Sequence, residues 1–339
     1  MKVVTFGELM LRLCPTGHLR FNQSNQYQAT FGGAEANVAV SLANFGMDAE
    51  FVSKLPMNEI GNAALNSLRQ FGVNTDSVIR DGDRVGIYYY EKGASQRPSK
   101  VIYDRKNSSF ALSKKEDYDW NKIFERCDWF HFTGITPALS DELSLILLEA
   151  CEEAKKRNIT ISCDLNFRKK LWSNQKANEV MSKLCQYVDI CIANEEDAKD
   201  VFNIEAKDTQ IEKGQLNKEG YISVAKQLQE RFNFKAVAIT LRESFSADDN
   251  DWSAMLYQDD KAYFSKTYHI HIVDRVGGGD SFGAGLIYAF KNNMNAQEAI
   301  EFAVAASCLK HSIEGDYNMV SVDEVKALMN GNASGRVQR

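Results

Sequence analysis

Apolar positions along this chain follow two periods. From about residue 128 onward, short apolar runs alternate with stretches whose apolar residues recur every three or four positions. Trp129-Phe130-His131-Phe132, Ile159-Thr160-Ile161-Ser162-Cys163, Ile190-Cys191-Ile192 and Ala236 to Thr240 read as buried strands, and 140–157, 174–186 and 218–232 as helices between them. Alternation of this kind predicts an α/β fold with a parallel sheet covered by helices. The earlier chain gives a strand at 2–7 and helices at 37–45 and 59–71, ended by Gly46 and Gly72. Val85 to Glu91 and Val101-Ile102-Tyr103 read as paired strands, with turn residues between Gly93 and Pro98. The last unit runs from a strand at 267–273 through a glycine cluster to a helix at 280–291, with further helices at 296–312 and 321–329. Gly331 to Arg339 is small and polar and is expected to be a disordered tail.

Composition narrows the function classes. The 339 residues are 44% hydrophobic and 25% charged, the profile of a soluble globular protein. A formal net charge of −6 argues against a broad nucleic-acid surface, while a local basic pocket for an anion stays open. Seven cysteines without a Cys-x-x-Cys pair give neither a disulfide framework nor a zinc knuckle, and buried small hydrophobes are expected. The N-terminus reads as a strand rather than a signal peptide, and no apolar run nears the ~20 residues that span a bilayer. The expectation is a reduced, cytoplasmic protein without membrane contact. The acidic stretch Asp248-Asp249-Asn250-Asp251 reads as a solvated turn, and His269 and His271 as half-buried strand residues without a third metal ligand.

The strongest motif is Asp274-Arg275-Val276-Gly277-Gly278-Gly279-Asp280-Ser281-Phe282-Gly283-Ala284-Gly285, between a strand and a helix. Glycines let backbone N–H groups approach an anion, and the helix dipole favours negative charge there. A carboxylate in the first turn, Asp280, then stands beside a phosphate cradle as a candidate base. The plain alternative is a tight turn with a favourable first-turn acid. A dinucleotide fingerprint would need an acidic strand end ~20 positions later, but Glu298 and Glu301 fall in a helical pattern near the chain's end. No Gly-Lys-Ser/Thr follows, so it is not a Walker A loop.

This run resembles the C-terminal signature of the ribokinase-like (PfkB) carbohydrate kinases, with Gly278 where that family usually has alanine. Gly32-Gly33-Ala34-Glu35-Ala36-Asn37-Val38-Ala39 resembles the family's N-terminal substrate loop. The resemblance implies a single domain over 1–339 with a doubly wound, mostly parallel sheet and a small β-sheet lid, taken here from about 10–30 and 84–108. It implies ATP and Mg²⁺, with a monovalent cation such as K⁺ in some relatives, near Gly315-Asp316 here. Asp280 would be the general base and the backbone of Gly277, Gly278 and Gly279 the anion hole. Gly33 and Asn37 would meet the sugar. Asn194-Glu195-Glu196-Asp197 resembles the family's Asn-x-x-Glu run, so Asn194 would lie at the nucleotide and Asp197 at the metal, with an acid one methylene shorter. The family's Gly-containing nucleotide loop is replaced by Leu241 to Asp248, and ATP is expected near Thr240 and Arg242.

The choice of sugar rests on Tyr88, Tyr103, Arg105 and Arg168. Two arginines suit a carboxylate, which a guanidinium grips in a fork. These stretches, with Asp164-Leu165-Asn166-Phe167-Arg168 and Leu171-Trp172, are similar to those of 2-keto-3-deoxygluconate kinases. That likeness implies a sugar acid as substrate. A fructokinase or other neutral-sugar kinase is the main alternative, and a non-catalytic sugar-binding regulator on the same fold is the third. Pairing of lid strands into a homo-oligomer follows from the family likeness.

Overall fold

The structure is a computed structural model that describes residues 1–194, 196–205 and 218–331. Glu195 and 332–339, nearly all of the expected tail, lie outside the described residues.

The strands are β1 (Lys2–Phe6), β2 (Met10–Pro15), β3 (Tyr27–Gly32), β4 (Ala49–Leu55), β5 (Val78–Arg80), β6 (Gly86–Glu91) and β7 (Lys100–Asp104). They continue with β8 (Cys127–Thr133), β9 (Thr160–Asp164), β10 (Ile190–Asn194), β11 (Ala236–Ser244), β12 (Asp249–Gln258), β13 (Lys261–Phe264) and β14 (Tyr268–His271). The helices are α1 (Ala34–Asn44), α2 (Glu59–Arg69), α3 (Trp120–Ile123), α4 (Ile135–Ala138), α5 (Asp141–Lys156) and α6 (Asn174–Leu184). The chain ends through α7 (Asp197–Phe202), α8 (Lys218–Phe232), α9 (Gly278–Lys291), α10 (Ala296–Lys310) and α11 (Val322–Met329).

The large sheet has ten strands in the order β13-β12-β11-β10-β9-β8-β1-β4-β5, with β14 paired to β12. Every pair from β11 to β5 is parallel; β12, β13 and β14 add an antiparallel edge. The order reverses at β1, the topology that opens a crevice beyond the carboxyl ends of the strands. Alternate residues of one strand feed two cores: Phe130 and Cys191 join the one under α5, α6 and α8, and Trp129 and Ile192 the one under α1, α9 and α10. Such strands read as continuous apolar runs because both faces are buried. Helix α5 shows the local logic: Ser140 accepts from the Leu143 N–H, and acids start the helix and lysines end it.

The small sheet runs β3-β2-β6-β7 and is antiparallel apart from its central β2–β6 pair. Met10, Cys14, Tyr88 and Tyr90 form its inner apolar face. The expected ribokinase-like α/β architecture with a separate small sheet is therefore present.

Two local readings are corrected. Residues 249–251 begin β12 rather than a turn, because Asp249 and Asp251 sit opposite His271 and His269 in the ladder. Those histidines are exposed, with Nδ1 2.8 Å from Asp249 and Asp251 respectively, rather than half-buried. All seven cysteines are free, five of them buried, as small hydrophobes would be. Among the described residues, no helix is long and apolar enough to cross a membrane.

Candidate active site

A cavity of about 490 Å³ opens where β9, β10 and β11 end and α1 and α9 begin, with β6 and β7 of the small sheet forming one wall. Every residue singled out from the sequence for catalysis or for sugar, nucleotide or Mg²⁺ binding lines it except Gly278.

The centre of the cavity is the first turn of α9. Gly277 caps it at φ 83°, ψ −3°, a left-handed conformation that favours glycine. The Ser281 N–H returns to the Gly277 carbonyl at 2.9 Å and that of Gly278 reaches Arg275 O at 3.3 Å. A helix start leaves its remaining first-turn donors for an anion, here those of Gly279 and Asp280. Gly278 faces the other way. A Cβ there would lie 2.5 Å from the His311 ring, so this histidine occupies the space that an alanine would need. His311 is neutral: Nδ1 donates to Ser307 O at 2.7 Å, and burial pushes its pKa down to about 4.

Asp280 accepts from Asn37 Nδ2 at 2.7 Å, which joins the two sequence signatures in one contact. Burial, opposed by that hydrogen bond and reinforced by Glu35 and Asp316, pushes its carboxyl up to about 7. A group poised there exchanges protons near neutrality. Glu35, from the glycine loop, is itself buried and receives Thr133 N and the hydroxyls of Thr133 and Thr136 at 2.8 to 3.0 Å.

The expected sugar residues line this cavity. Gly33 stands at the start of α1, and Tyr88 and Tyr103 lie with ring centroids 6.2 Å apart on β6 and β7. Tyr88 donates to Asp316 at 2.6 Å, and Arg105 donates through Nε to Glu8 at 2.7 Å with a second contact from Nη2. Arg168 differs: it is exposed, and its guanidinium donates to Phe167 O at 3.3 Å, with no carboxylate in ion-pair range among the described residues. It lies close enough to Asp164 and Asp280 to favour their ionised forms. Sequence reasoning missed Glu8 and Asp164. Glu8 lies just after β1 and Asp164 is the last residue of β9, and that position at the carboxyl ends of parallel strands was the available signal.

Asn194, Thr240 and Arg242 line the cavity as well. Arg275, also missed, joins them; its place inside the glycine motif was the clue. Burial and the neighbouring Arg242 both lower the Arg275 pKa, and Arg275 donates to neutral acceptors, Ala247 O at 3.0 Å and Asn250 Oδ1 at 3.4 Å. Two neighbouring guanidinium groups with no carboxylate in ion-pair range among the described residues suit a polyanion.

Asp197, expected at the metal, lines the same cavity, and its oxygens accept from the main-chain N–H groups of Phe167 at 3.1 Å and Asn194 at 3.0 Å, so it ties two cavity loops together. Among the described residues, no three His, Cys, Asp or Glu side chains group to hold a metal ion. At the expected monovalent-cation position, the Asp316 carboxylate already receives Arg12 and Tyr88.

Comparison with known proteins agrees with this geometry. Residues 1–322 match the model of the pfkB family carbohydrate kinases. A crystal structure of 2-dehydro-3-deoxygluconokinase from Thermotoga maritima superposes with a TM-score of 0.94 at 51% identity, over 98% of this chain and 100% of that one. The 2-dehydro-3-deoxygalactonokinase of Haloferax volcanii is 30% identical over 98% of both chains. The 2-dehydro-3-deoxygluconokinase of Bacillus subtilis is 25% identical over 93% of this chain and 91% of its own. With both signatures meeting at one carboxylate and the family match covering nearly its whole length, this chain belongs to the pfkB family of carbohydrate kinases.

Proposed function

We propose that the protein transfers the γ-phosphoryl group of ATP to the 6-hydroxyl of a 2-keto-3-deoxy sugar acid, 2-keto-3-deoxygluconate before others. The carrying observation is Asp280, oriented by Asn37 at a helix N-terminus, in a cavity that Arg168, Arg242 and Arg275 also line. The names of the relatives from Thermotoga maritima and Bacillus subtilis support the gluconate form.

In this reading Arg242 and Arg275 hold the phosphates, and Arg168 holds the sugar carboxylate with Tyr88, Tyr103 and Arg105 around it. Asp280 takes the proton of the 6-hydroxyl as its oxygen bonds to the γ-phosphorus. The bond from that phosphorus to the β–γ bridging oxygen breaks and ADP leaves. The N–H groups of the first turn of α9 hold the charge on the transferred group. Magnesium fits as an ion carried by the nucleotide, since it keeps waters and binds mainly through phosphates, and there it offsets phosphate charge. The small sheet acts as a lid that excludes water. Its β3 edge, exposed from Tyr27 to Thr30, is also the proposed contact between copies of the chain.

A coupled ADP-release assay over sugars and sugar acids tests the reading. No turnover with any sugar refutes the kinase. Faster turnover with fructose than with the keto acid refutes the substrate. That neutral-sugar reading has one observation in its favour: Arg105 is already paired with Glu8, so Arg168 alone carries uncompensated charge to a carboxylate.

Two outcomes are expected beyond the panel. Arg168→Ala raises KM for the keto acid ~10–100-fold, the worth of one charge-assisted contact, and KM for a neutral sugar far less. Equal rises in steady-state assays would remove Arg168 from carboxylate recognition. Asn37→Ala removes a hydrogen bond that favours the Asp280 carboxylate, so the acid limb of the kcat/KM profile moves upward from near 7. A downward shift would contradict this assignment.

A further inference from the structure

Against the cavity wall, to which Tyr88 and Asp316 contribute, lies a charged cluster whose arginine the transfer chemistry leaves unused. Arg12, on β2 of the small sheet, is 2% exposed. Its Nη1 donates to Asp316 Oδ1 at 2.8 Å and its Nη2 to Asp274 Oδ2 at 2.6 Å. The guanidinium also stacks on Tyr90, with Cζ 4.6 Å from the ring centroid. The two carboxylates are equally buried and come from distant places, Asp274 from the segment entering α9 and Asp316 from the loop between α10 and α11. Tyr88, beside Arg12 on β6, donates to the same Asp316 carboxylate, and the Gly315 N–H reaches Asp274 Oδ2 at 3.1 Å.

These two acids fix the turn that opens α9. Asp274 Oδ1 receives the Val276 N–H at 3.2 Å. The Asp316 carbonyl lies so close to Gly277 that a Cβ on that glycine would be 2.0 Å away. Asp316 thus touches the small sheet through its side chain and the anion hole through its main chain. A planar guanidinium can hold two carboxylates in one fixed geometry, whereas an ammonium is a single point charge. Arg12 does not line the cavity, so any effect on substrate passes through its partners.

We propose that Arg12 is a positioning residue for phosphoryl transfer: by clamping Asp274 and Asp316 it fixes the first turn of α9 to the small sheet, so that the anion hole and the sugar contacts share one frame. The role rests on the kinase reading above, and one arm of its test does not. Arg12→Lys keeps the charge but loses the fork. Since a displacement of ~1 Å costs ~10²-fold in rate, kcat falls by that order while KM for the sugar moves by less than ~3-fold. In the substrate-free protein, amide hydrogen exchange at Gly277 to Asp280 quickens at least ~10-fold, while that of α5 stays at its wild-type rate. Exchange needs no turnover, so it separates failure of this role from failure of the kinase reading. Wild-type kcat, or wild-type exchange at Gly277 to Asp280, overturns the proposal. If Arg12→Lys does not fold, Asp316→Asn, which loses the charge at unchanged shape, is read by the same two measurements with the same overturning outcomes.

Discussion

Asp280→Asn is expected to lower kcat by on the order of 10²–10⁴-fold, the usual contribution of general-base catalysis. The amide keeps the shape of the side chain and can still receive the Asn37 Nδ2 hydrogen bond through its oxygen. What it cannot do is take the hydroxyl proton. The variant should also lose the acid limb of the wild-type pH profile, because the group titrating at about 7 is gone. Stability supplies an internal control. The Asp280 carboxyl rises from 3.8 to about 7 on folding, so the folded state binds its proton more tightly than the unfolded state. Stability from this group therefore falls as pH rises from about 4 to about 7, and the whole penalty is present above that. The asparagine variant escapes it, so its Tm at pH 8 should equal or exceed that of the wild type. Near-normal turnover would remove Asp280 from its role. Lost turnover with a lowered Tm at pH 8 would point to misfolding instead.

Gly277→Ala is expected to damage both rate and stability. At φ 83° an alanine is strained by ~1–2 kcal/mol, before any contact is considered. Its Cβ would also lie 2.0 Å from Asp316 O and 3.2 Å from Lys310 Cε. The first of these is main chain held by the Arg12 clamp, so the collision must move either that loop or the helix start. A misplaced anion-hole donor costs ~10²–10³-fold in kcat. Thermal unfolding should shift down by several degrees, at ~2–4 °C per kcal/mol for a chain of moderate size. Gly279 is the comparison for stability: a Cβ there meets nothing within 4 Å, so the Tm of Gly279→Ala should stay near wild type. Equal Tm values for the two variants would refute the steric account.

Much of this protein was written locally. The period of apolar residues marks β8, β9 and β10 because those strands are buried on both faces, and α5 because one stripe of it is. Strand β4 escaped notice: it is buried throughout, yet Glu50 and Lys54 interrupt its apolar run. Those charges are tolerated because Lys2 and Asp117 meet them, and such partners have no signature in a local window. The start of β12 escaped for a similar reason, since its acids answer the histidines of the expected strand β14 across the ladder.

What depends on backbone and near neighbours can be read from residue order alone: a glycine run at a helix start exposes N–H donors, and Asp280 follows it by covalent connection. Which charges stay free is a matter of folding. Arg105 is spent on Glu8, and Asp197 on two main-chain N–H groups, while Arg168, Arg242 and Arg275 face the cavity without a carboxylate in ion-pair range among the described residues. Arg12 finds Asp274 and Asp316 at separations of 262 and 304 residues. Periodicity and spacing carry no record of such pairings. Burial enforces them, because a charge withdrawn from water must find its opposite wherever in the chain it lies.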